Sequence, residues 1–401
     1  MLRAHRAPAM ERRLRIAMVS ETYPPEVNGV ARTVMLMVQG LRKRGHEIQV
    51  VRPRQGPGDL ALVEEGYREL LRPGFRIPRY PQLRMGLPST RALRQAWERE
   101  MPDIVHIATE GPLGGSALAA ARALRIPTAT DFHTNFDAYS GHYGFGWFAG
   151  LVRAHLRRFH NRAGCTMVPT DELGMHLARH GFERLRVVGR GVDSATFSPA
   201  KRSAELRAKW GADDGTPVAL CVSRFAPEKN FPLVLDAYRA MRAVRPDLRL
   251  VLVGDGPMAE ELRAEQIGVV VAGRLVNGAL SAHYASADIF LFPSTTETFG
   301  NVTMEAMASG LAVVAYDYAA ARQYIVHGRS GLLAKVDDRV GFLEHAAALA
   351  RDLPRARALG RNARAVAEPL NWEKVAADFE AVLVDTIRER GGDLRESHAA
   401  A

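Results

Sequence analysis

Residues 288–317 read DIFLFPSTTETFGNVTMEAMASGLAVVAYD. Two short apolar runs, DIFLFPS (288–294) and LAVVAYD (311–317), flank a helix-length stretch, MEAMASG, that closes on Gly310. Strand, helix and strand in this order imply parallel strands joined by a crossover, with helices covering the sheet.

The alternation extends in both directions. PVALCVSR (217–224), LRLVLVGDG (248–256) and VVVAG (269–273) precede this stretch, with a helix expected from Phe231 to Val244. Before a pause at GRGVDSATFSP (189–199) lies a first series: LRIAMVS (14–20), EIQVVRP (47–53), DIVHIAT (103–109), PTATDFH (127–133) and CTMVPT (165–170). A helix is expected from about Val30 to Arg44. The chain therefore reads as two α/β units with parallel sheets covered on both faces. The expected divisions are a basic tail over 1–13, an N-terminal Rossmann-like unit over 14–192 and a second over 193–370. A C-terminal helix over 371–390 crosses back to the first unit, and 391–401 forms a disordered tail.

Composition removes several classes. The 401 residues are 47% hydrophobic and 24% charged, so neither a disordered nor a fibrous chain is expected. No apolar run approaches the ~20 residues of a membrane span. The start, MLRAHRAPAMERRLR, is basic but lacks the apolar stretch of a signal peptide, so a cytoplasmic protein is expected. Cys165 and Cys221 are too few for a disulfide framework or a zinc site. The net charge is +10, and residues 1–200 carry all of the excess, with 29 Lys and Arg against 18 Asp and Glu. Such a half favours an anionic partner.

In open parallel sheets ligands bind beyond the carboxyl ends of the strands. The loop after DIFLFPS runs E-T-F-G-N-V-T-M-E. Gly300 permits close backbone approach, and the amides of Asn301 and Val302 open a helix whose N-terminus suits phosphate. Glu297 and Glu305 flank it and suit hydroxyl groups, a sugar at one end and a ribose at the other. The loop after VALCV carries Arg224 and Lys229, which can reach one diphosphate as a fork and a point charge. Each loop read alone is also compatible with an ordinary solvated surface.

Taken together, ExFGxxxxE and the R-x4-K loop resemble the retaining glycosyltransferases of the GT-B fold, family 4. YPPEVNGVARTV, DFHTNFDAY, GRGVDSATFSP and ETFGNVTMEAMASG extend the resemblance over most of the chain. HTNFDAYSGHYGFGW with GRGVD is most similar to the branch of GDP-mannose-dependent α-mannosyltransferases and sulfoquinovosyl or glycosyl diacylglycerol synthases. The resemblance implies an α/β architecture of two Rossmann-like domains facing a central cleft. It implies that Glu297 holds donor-sugar hydroxyls, Glu305 the ribose diol, and Arg224 and Lys229 the diphosphate, with Gly300 and the amides of Asn301 and Val302 assisting. His133 matches the family histidine at the donor sugar, and Gly29 the glycine loop of the first domain. Asn28 departs from the Gly-Gly common there, and Leu311 replaces a common proline. Asp255 in GDG reads either as a base-end contact or as a turn residue capping a helix from Pro257. Arg190 and Asp193 read either as cleft residues or as residues with a hinge or structural role.

The resemblance further implies retention of configuration by front-face substitution, with transfer of a hexose, mannose from GDP-mannose first, to a lipid or lipid-linked acceptor. A UDP-glucose or UDP-hexose-dependent diacylglycerol synthase, or more remotely a GT-B epimerase, is the alternative. No D-x-D follows a strand, so no metal and no cofactor is expected, with the two cations replacing a metal. A phosphorylase would need a cofactor lysine, and a nicotinamide enzyme G-x-G-x-x-G after the first strand. A nucleic-acid binder would leave Glu297, Glu305 and His133 unexplained. Arg68, Arg72, Arg76, Arg79 and Arg84 lie in one segment. Within 144–162 Phe148, Leu151, Val152, His155, Leu156 and Phe159 share a helical face, with Arg153, Arg157 and Arg158 largely off it. That pattern fits either docking on an anionic membrane surface, placing the protein peripherally on the cytoplasmic face of the inner membrane, or a core helix with solvated arginines.

Overall fold

The computed structural model describes residues 13–26, 28–77, 80–133, 149–264 and 268–399. The segment HTNFDAYSGHYGFGW after His133, with Phe148, and also Val27, Arg79 and nearly all of the expected basic tail lie outside these residues. The chain forms two compact units, Met1–Arg190 with Trp372–Ala401, and Gly191–Asn371.

The first unit contains β1 (Arg15–Val19), β2 (Glu47–Pro53), β3 (Val63–Glu64), β4 (Tyr67–Arg72), β5 (Gly74–Ile77), β6 (Tyr80–Gly86), β7 (Ile104–Ile107), β8 (Thr128–Asp131), β9 (Cys165–Val168) and β10 (Leu185–Val187). Its main sheet runs β10-β9-β8-β7-β1-β2-β4-β3, parallel except for the β3–β4 pair, and β5 and β6 form a separate hairpin. The central strands are buried along their whole length, as IAMV of β1 and IVHI of β7 show, because both faces are covered.

The helix Trp372–Ala399 supplies part of that cover. Phe379 and Leu383 are fully buried against Met18, Met37 and Ile104. Gly40 on the helix Gly29–Lys43 allows the crossing: a Cβ there would lie 2.4 Å from that of Ala376. Glu380 adds a buried anchor, with Oε1 2.6 Å from His46 Nε2 and an ion pair to Arg44. The helix runs past residue 390, where the sequence placed its end, so the expected disorder from 391 is corrected as far as Ala399. Gly391 and Gly392 cost about 1 kcal/mol each relative to alanine, but no proline follows to stop the helix.

The second unit contains β11 (Val218–Val222), β12 (Arg249–Val253), β13 (Val269–Gly273), β14 (Ile289–Phe292), β15 (Ala312–Tyr316) and β16 (Gly331–Ala334), all parallel in the order β13-β12-β11-β14-β15-β16. Phe231, Leu235, Phe342 and Leu349 pack on one face and Tyr284, Met304 and Met307 on the other. Numbered within the unit the order is 3-2-1-4-5-6, so the topological switch falls between β11 and β14. The loops after these two strands are the ones that carry Arg224 and Lys229, and Glu297 to Glu305. Among the described residues no helix is long and apolar enough to cross a membrane.

Candidate functional site

In the second unit the residues singled out from the sequence converge at the switch. After β11 the chain turns through Ser223–Ala226 into a single 3-10 turn, Pro227–Lys229, and then Asn230 enters the left-handed region at φ 57°. Lys229 Nζ lies 2.5 Å from Glu297 Oε1 and 3.5 Å from both Ser294 Oγ and the Thr296 carbonyl. Ser294 Oγ donates to the same Glu297 oxygen at 2.9 Å, while Tyr318 Oη donates to the Ser294 carbonyl at 2.8 Å. Thr295 ties the two loops together, its amide and hydroxyl donating to the Glu228 carbonyl at 3.1 and 3.2 Å.

Arg224 forms an ion pair with Glu228, whose side chain is buried. Burial pushes the Glu228 carboxyl pKa up, but a backbone amide and Arg224 outweigh it and hold the group below its ordinary value. Both candidate diphosphate cations are thus paired with carboxylates, Arg224 with Glu228 and Lys229 with Glu297. A diphosphate would have to share or displace these contacts, and Glu228 and Glu297 would then need new partners.

Gly300 has φ 90° and ψ 63°, a conformation that favours glycine, and it caps the helix Asn301–Ala308. The helix therefore begins with the amides of Asn301 and Val302, and Asn301 Oδ1 is buried without a hydrogen-bond partner. Glu305 is buried, and Tyr284 Oη donates to its Oε2 at 3.0 Å.

The GDG loop after β12 supports this group. Gly254 and Gly256, at φ 151° and 154°, lie against the Arg224 loop, where Cβ atoms would come 1.8 Å from the Ser223 carbonyl oxygen and 2.4 Å from that of Phe225. The Phe225 amide donates to the Asp255 carbonyl at 2.9 Å. Asp255 Oδ1 accepts from the Gly256 amide, and the next helix spans Ala259–Ala264, so the expected cap of a helix from Pro257 is replaced by a local turn contact.

The first unit holds a second group at the carboxyl ends of its strands. His133 follows β8, and its Nε2 lies 3.0 Å from Asp131 Oδ2. Arg190 is buried, with Nη2 3.2 Å from both Asp131 oxygens and 3.4 Å from His133 Nδ1. Burial pushes the Asp131 pKa up, but Arg190 and His133 more than reverse this and hold it well below the usual range. His106 on β7 has no hydrogen-bond partner at either ring nitrogen and meets Phe379 edge-on. Burial pushes its pKa down to about 4.

Gly29 is the first residue of the helix Gly29–Lys43 rather than part of an open loop. Asn28 caps that helix, its Oδ1 accepting from the Ala31 amide at 2.8 Å, which gives the departure from Gly-Gly a structural reason. The helix expected within 144–162 spans Ala149–His160, but its buried face is Leu156, Phe159 and His160, whereas Leu151 is 61% exposed. Among the described residues no three His, Cys, Asp or Glu side chains are grouped to hold a metal ion.

Sequence reasoning missed Glu228, Ser294, Tyr284, Tyr318 and Asp131. Glu228, Asp131 and Ser294 sit inside stretches already singled out; the two tyrosines carry no local signal.

Two Rossmann-like units, with cations, a helix N-terminus and two carboxylates at the switch of the second, define a nucleotide-sugar-dependent transferase. The chain belongs to the GT-B glycosyltransferases of family 4: residues 27–196 match the family described as Glycosyltransferase Family 4, and residues 202–366 match Glycosyl transferases group 1. The GDP-mannose-dependent alpha-mannosyltransferase of Mycolicibacterium smegmatis is 37% identical over 328 residues, covering 81% of this chain and 85% of that one. The alpha-monoglucosyldiacylglycerol synthase of Acholeplasma laidlawii is 26% identical over 406 residues, covering 96% and 100%. Among solved structures, the sucrose-phosphate synthase of Thermosynechococcus elongatus superposes with a TM-score of 0.75 at 20% identity, covering 97% of this chain and 100% of that one. Anabaena Alr3699/HepE in complex with UDP-glucose gives 0.72 at 19%, covering 93% and 100%. The enzyme is a hexosyltransferase.

Proposed function

We propose that this glycosyltransferase moves mannose from GDP-mannose to a lipid or lipid-linked acceptor, with retention of configuration and without a metal ion. The donor assignment is supported by the GDP-mannose-dependent relative at 37% identity. The observation that carries the mechanism is the paired cations, Arg224 and Lys229, in a loop joined to that of Glu297 by Thr295. In this reading Arg224 and Lys229 take the diphosphate, the amides of Asn301 and Val302 its remaining oxygens, Glu305 the ribose and Glu297 the sugar hydroxyls, while His133 and Gly29 serve from the first unit.

As the sugar–phosphate bond breaks, charge grows on the leaving diphosphate, and fixed cations that replace its hydration stabilise that charge. The leaving phosphate then accepts the proton of the incoming hydroxyl, so no enzyme nucleophile is required. Glu297, released from Lys229 by the diphosphate, is free to accept from sugar hydroxyls.

Docking on an anionic bilayer at the cytoplasmic face of a membrane belongs to the same proposal. Leu60 and Val63 are 81% and 73% exposed at the sheet edge, and Phe75 is exposed, in a segment that also carries Arg54, Arg72, Arg76 and Arg84. Transfer from labelled GDP-mannose and from UDP-glucose to lipid vesicles in EDTA tests the function. Preference for GDP-mannose supports it, and preference for UDP-glucose moves the assignment to the diacylglycerol synthase relatives. Flotation with anionic vesicles at low salt tests the docking, and failure to float rejects it.

A further inference from the structure

We infer that Arg190 and Asp131 are positioning residues for His133, fixing both its ring orientation and which nitrogen carries the proton. This inference rests on the proposed transferase reading for its kinetic readout, but not for its spectroscopic one.

The three side chains are almost wholly removed from water, 3% exposed for Arg190 and Asp131 and 6% for His133. One guanidinium nitrogen, Nη2, serves both partners: it lies 3.2 Å from each Asp131 oxygen and 3.4 Å from His133 Nδ1. A guanidinium has no acceptor, so the Nδ1 that faces it must present its lone pair. The neutral ring then carries its proton on Nε2, which lies 3.0 Å from Asp131 Oδ2 without an aligned hydrogen bond to it. The arginine facing Nδ1 specifies the tautomer, and the carboxylate beside the ring holds the arginine in place.

The backbone holds the arrangement from below. The Phe132 amide, between Asp131 and His133, donates to the Met167 carbonyl at 2.9 Å, extending β8 onto β9 and sending the flanking side chains to fixed directions. Arg190 Nη1 turns back to the carbonyls of Val188 and Gly189 at 3.3 and 3.5 Å. Arg190 is also the last residue of the first unit before the chain passes to Gly191.

A buried ion pair is a poor source of stability, since apolar residues of similar size often serve as well. Its presence beside the candidate histidine therefore calls for another role. His106 supplies the contrast. It is equally buried, has no hydrogen-bond partner on either nitrogen, and is left neutral. Of the two histidines facing this group, only His133 meets both the arginine, through Nδ1, and the carboxylate.

Arg190→Lys is the informative substitution. A lysine keeps a cation for Asp131 but has no second nitrogen to anchor on the Val188 and Gly189 carbonyls, so the group facing the imidazole loses its fixed position. The double variant Asp131→Leu/Arg190→Met removes both charges at once and avoids an uncompensated buried ion. The experiment records histidine-selective nitrogen-15 spectra of the full chain, with His133→Gln to assign the resonance, and kcat and KM with GDP-mannose.

The wild type should show one His133 tautomer, protonated at Nε2. Both variants should show a mixture or the other tautomer, with kcat reduced by about 10- to 100-fold and donor KM changed far less. A purely structural pair would lower the melting temperature while leaving tautomer and kcat unchanged. That result, or an Nδ1-protonated ring in the wild type, overturns the inference. If the wild type fails to turn over GDP-mannose, the donor reading is what fails, and the nitrogen-15 comparison still decides between positioning and structure.

Discussion

Gly254→Ala tests whether the GDG loop sets the place of the diphosphate clamp. An alanine Cβ at this position would stand 1.8 Å from the Ser223 carbonyl oxygen and 2.9 Å from Phe225 Cε1. Real Cβ contacts essentially never fall under 3.0 Å, so the Ser223–Arg224 peptide must retreat by at least about 1.2 Å. The loops cannot separate freely. Gly254 donates to the Gly273 carbonyl at 2.9 Å, and Phe225 is bonded to Asp255 and Met258. The backbone at φ 151° also resists a side chain, which adds strain of order 1–3 kcal/mol.

A displacement of about 1 Å in a positioning element can cost ~100-fold in rate, equivalent to about 2.7 kcal/mol of transition-state stabilisation. The expected result is a comparable fall in kcat/KM, weaker GDP binding and a lower melting temperature. The control is Gly278→Ala, where an added Cβ meets no atom within 4 Å, and its activity should be unchanged. GDP release from GDP-mannose, calorimetric GDP titration and thermal melts supply the three readouts. A Gly254→Ala enzyme within about threefold of wild type in kcat/KM, with unchanged GDP affinity, would refute the reasoning.

Lys229→Ala removes the point charge at the diphosphate and should lower kcat by about 10²–10³-fold, with turnover near wild type arguing against the clamp. Glu305→Gln keeps an acceptor for Tyr284 but removes the charge offered to the ribose; donor KM should rise about tenfold with kcat nearly constant, and the reverse pattern would rule out a ribose contact. His106 gives stability a pH dependence. Its folded pKa of about 4 lies below the ordinary 6.5, so its contribution is complete well above 6.5 and is lost as pH falls toward 4, by about 2 kcal/mol between pH 7 and 5. Urea denaturation of wild type and His106→Leu at pH 7 and pH 5 checks this: the variant should show the smaller loss on acidification, and an equal loss would contradict the burial of a neutral imidazole.

The sequence made the strand–helix rhythm legible wherever both sheet faces are buried, because strands such as VALCV, RLVLV and AVVAY are then continuous apolar runs. It failed at the margins of the first sheet. YRELLR (β4) mixes three charged residues with two leucines on a half-exposed flank, and it shares with the β5–β6 hairpin the arginines that drew a different reading. The four-residue GLLA of β16 is too short to stand out.

At the site, Arg224, Lys229, Glu297 and Glu305 were legible because they share two loops with recognisable glycine and charge spacing. Their supports were not. Tyr284 reaches Glu305 from another helix, and Tyr318 reaches Ser294 from the loop after β15. Arg190 meets Asp131 across 59 positions of sequence. Such contacts are made by the topology, and no local pattern encodes them. The apolar face expected within 144–162 held only in part for a related reason: helical periodicity names a stripe, but tertiary packing buried Leu156, Phe159 and His160 and left Leu151 exposed.

Calorimetric titration of GDP into wild type and Lys229→Ala, both in EDTA, tests the central claim most directly. The account predicts one binding site per chain in the absence of metal, weakened at least about tenfold when the lysine ammonium is removed. Neither GDP nor UDP binding without metal, or binding indifferent to Lys229→Ala, would contradict it.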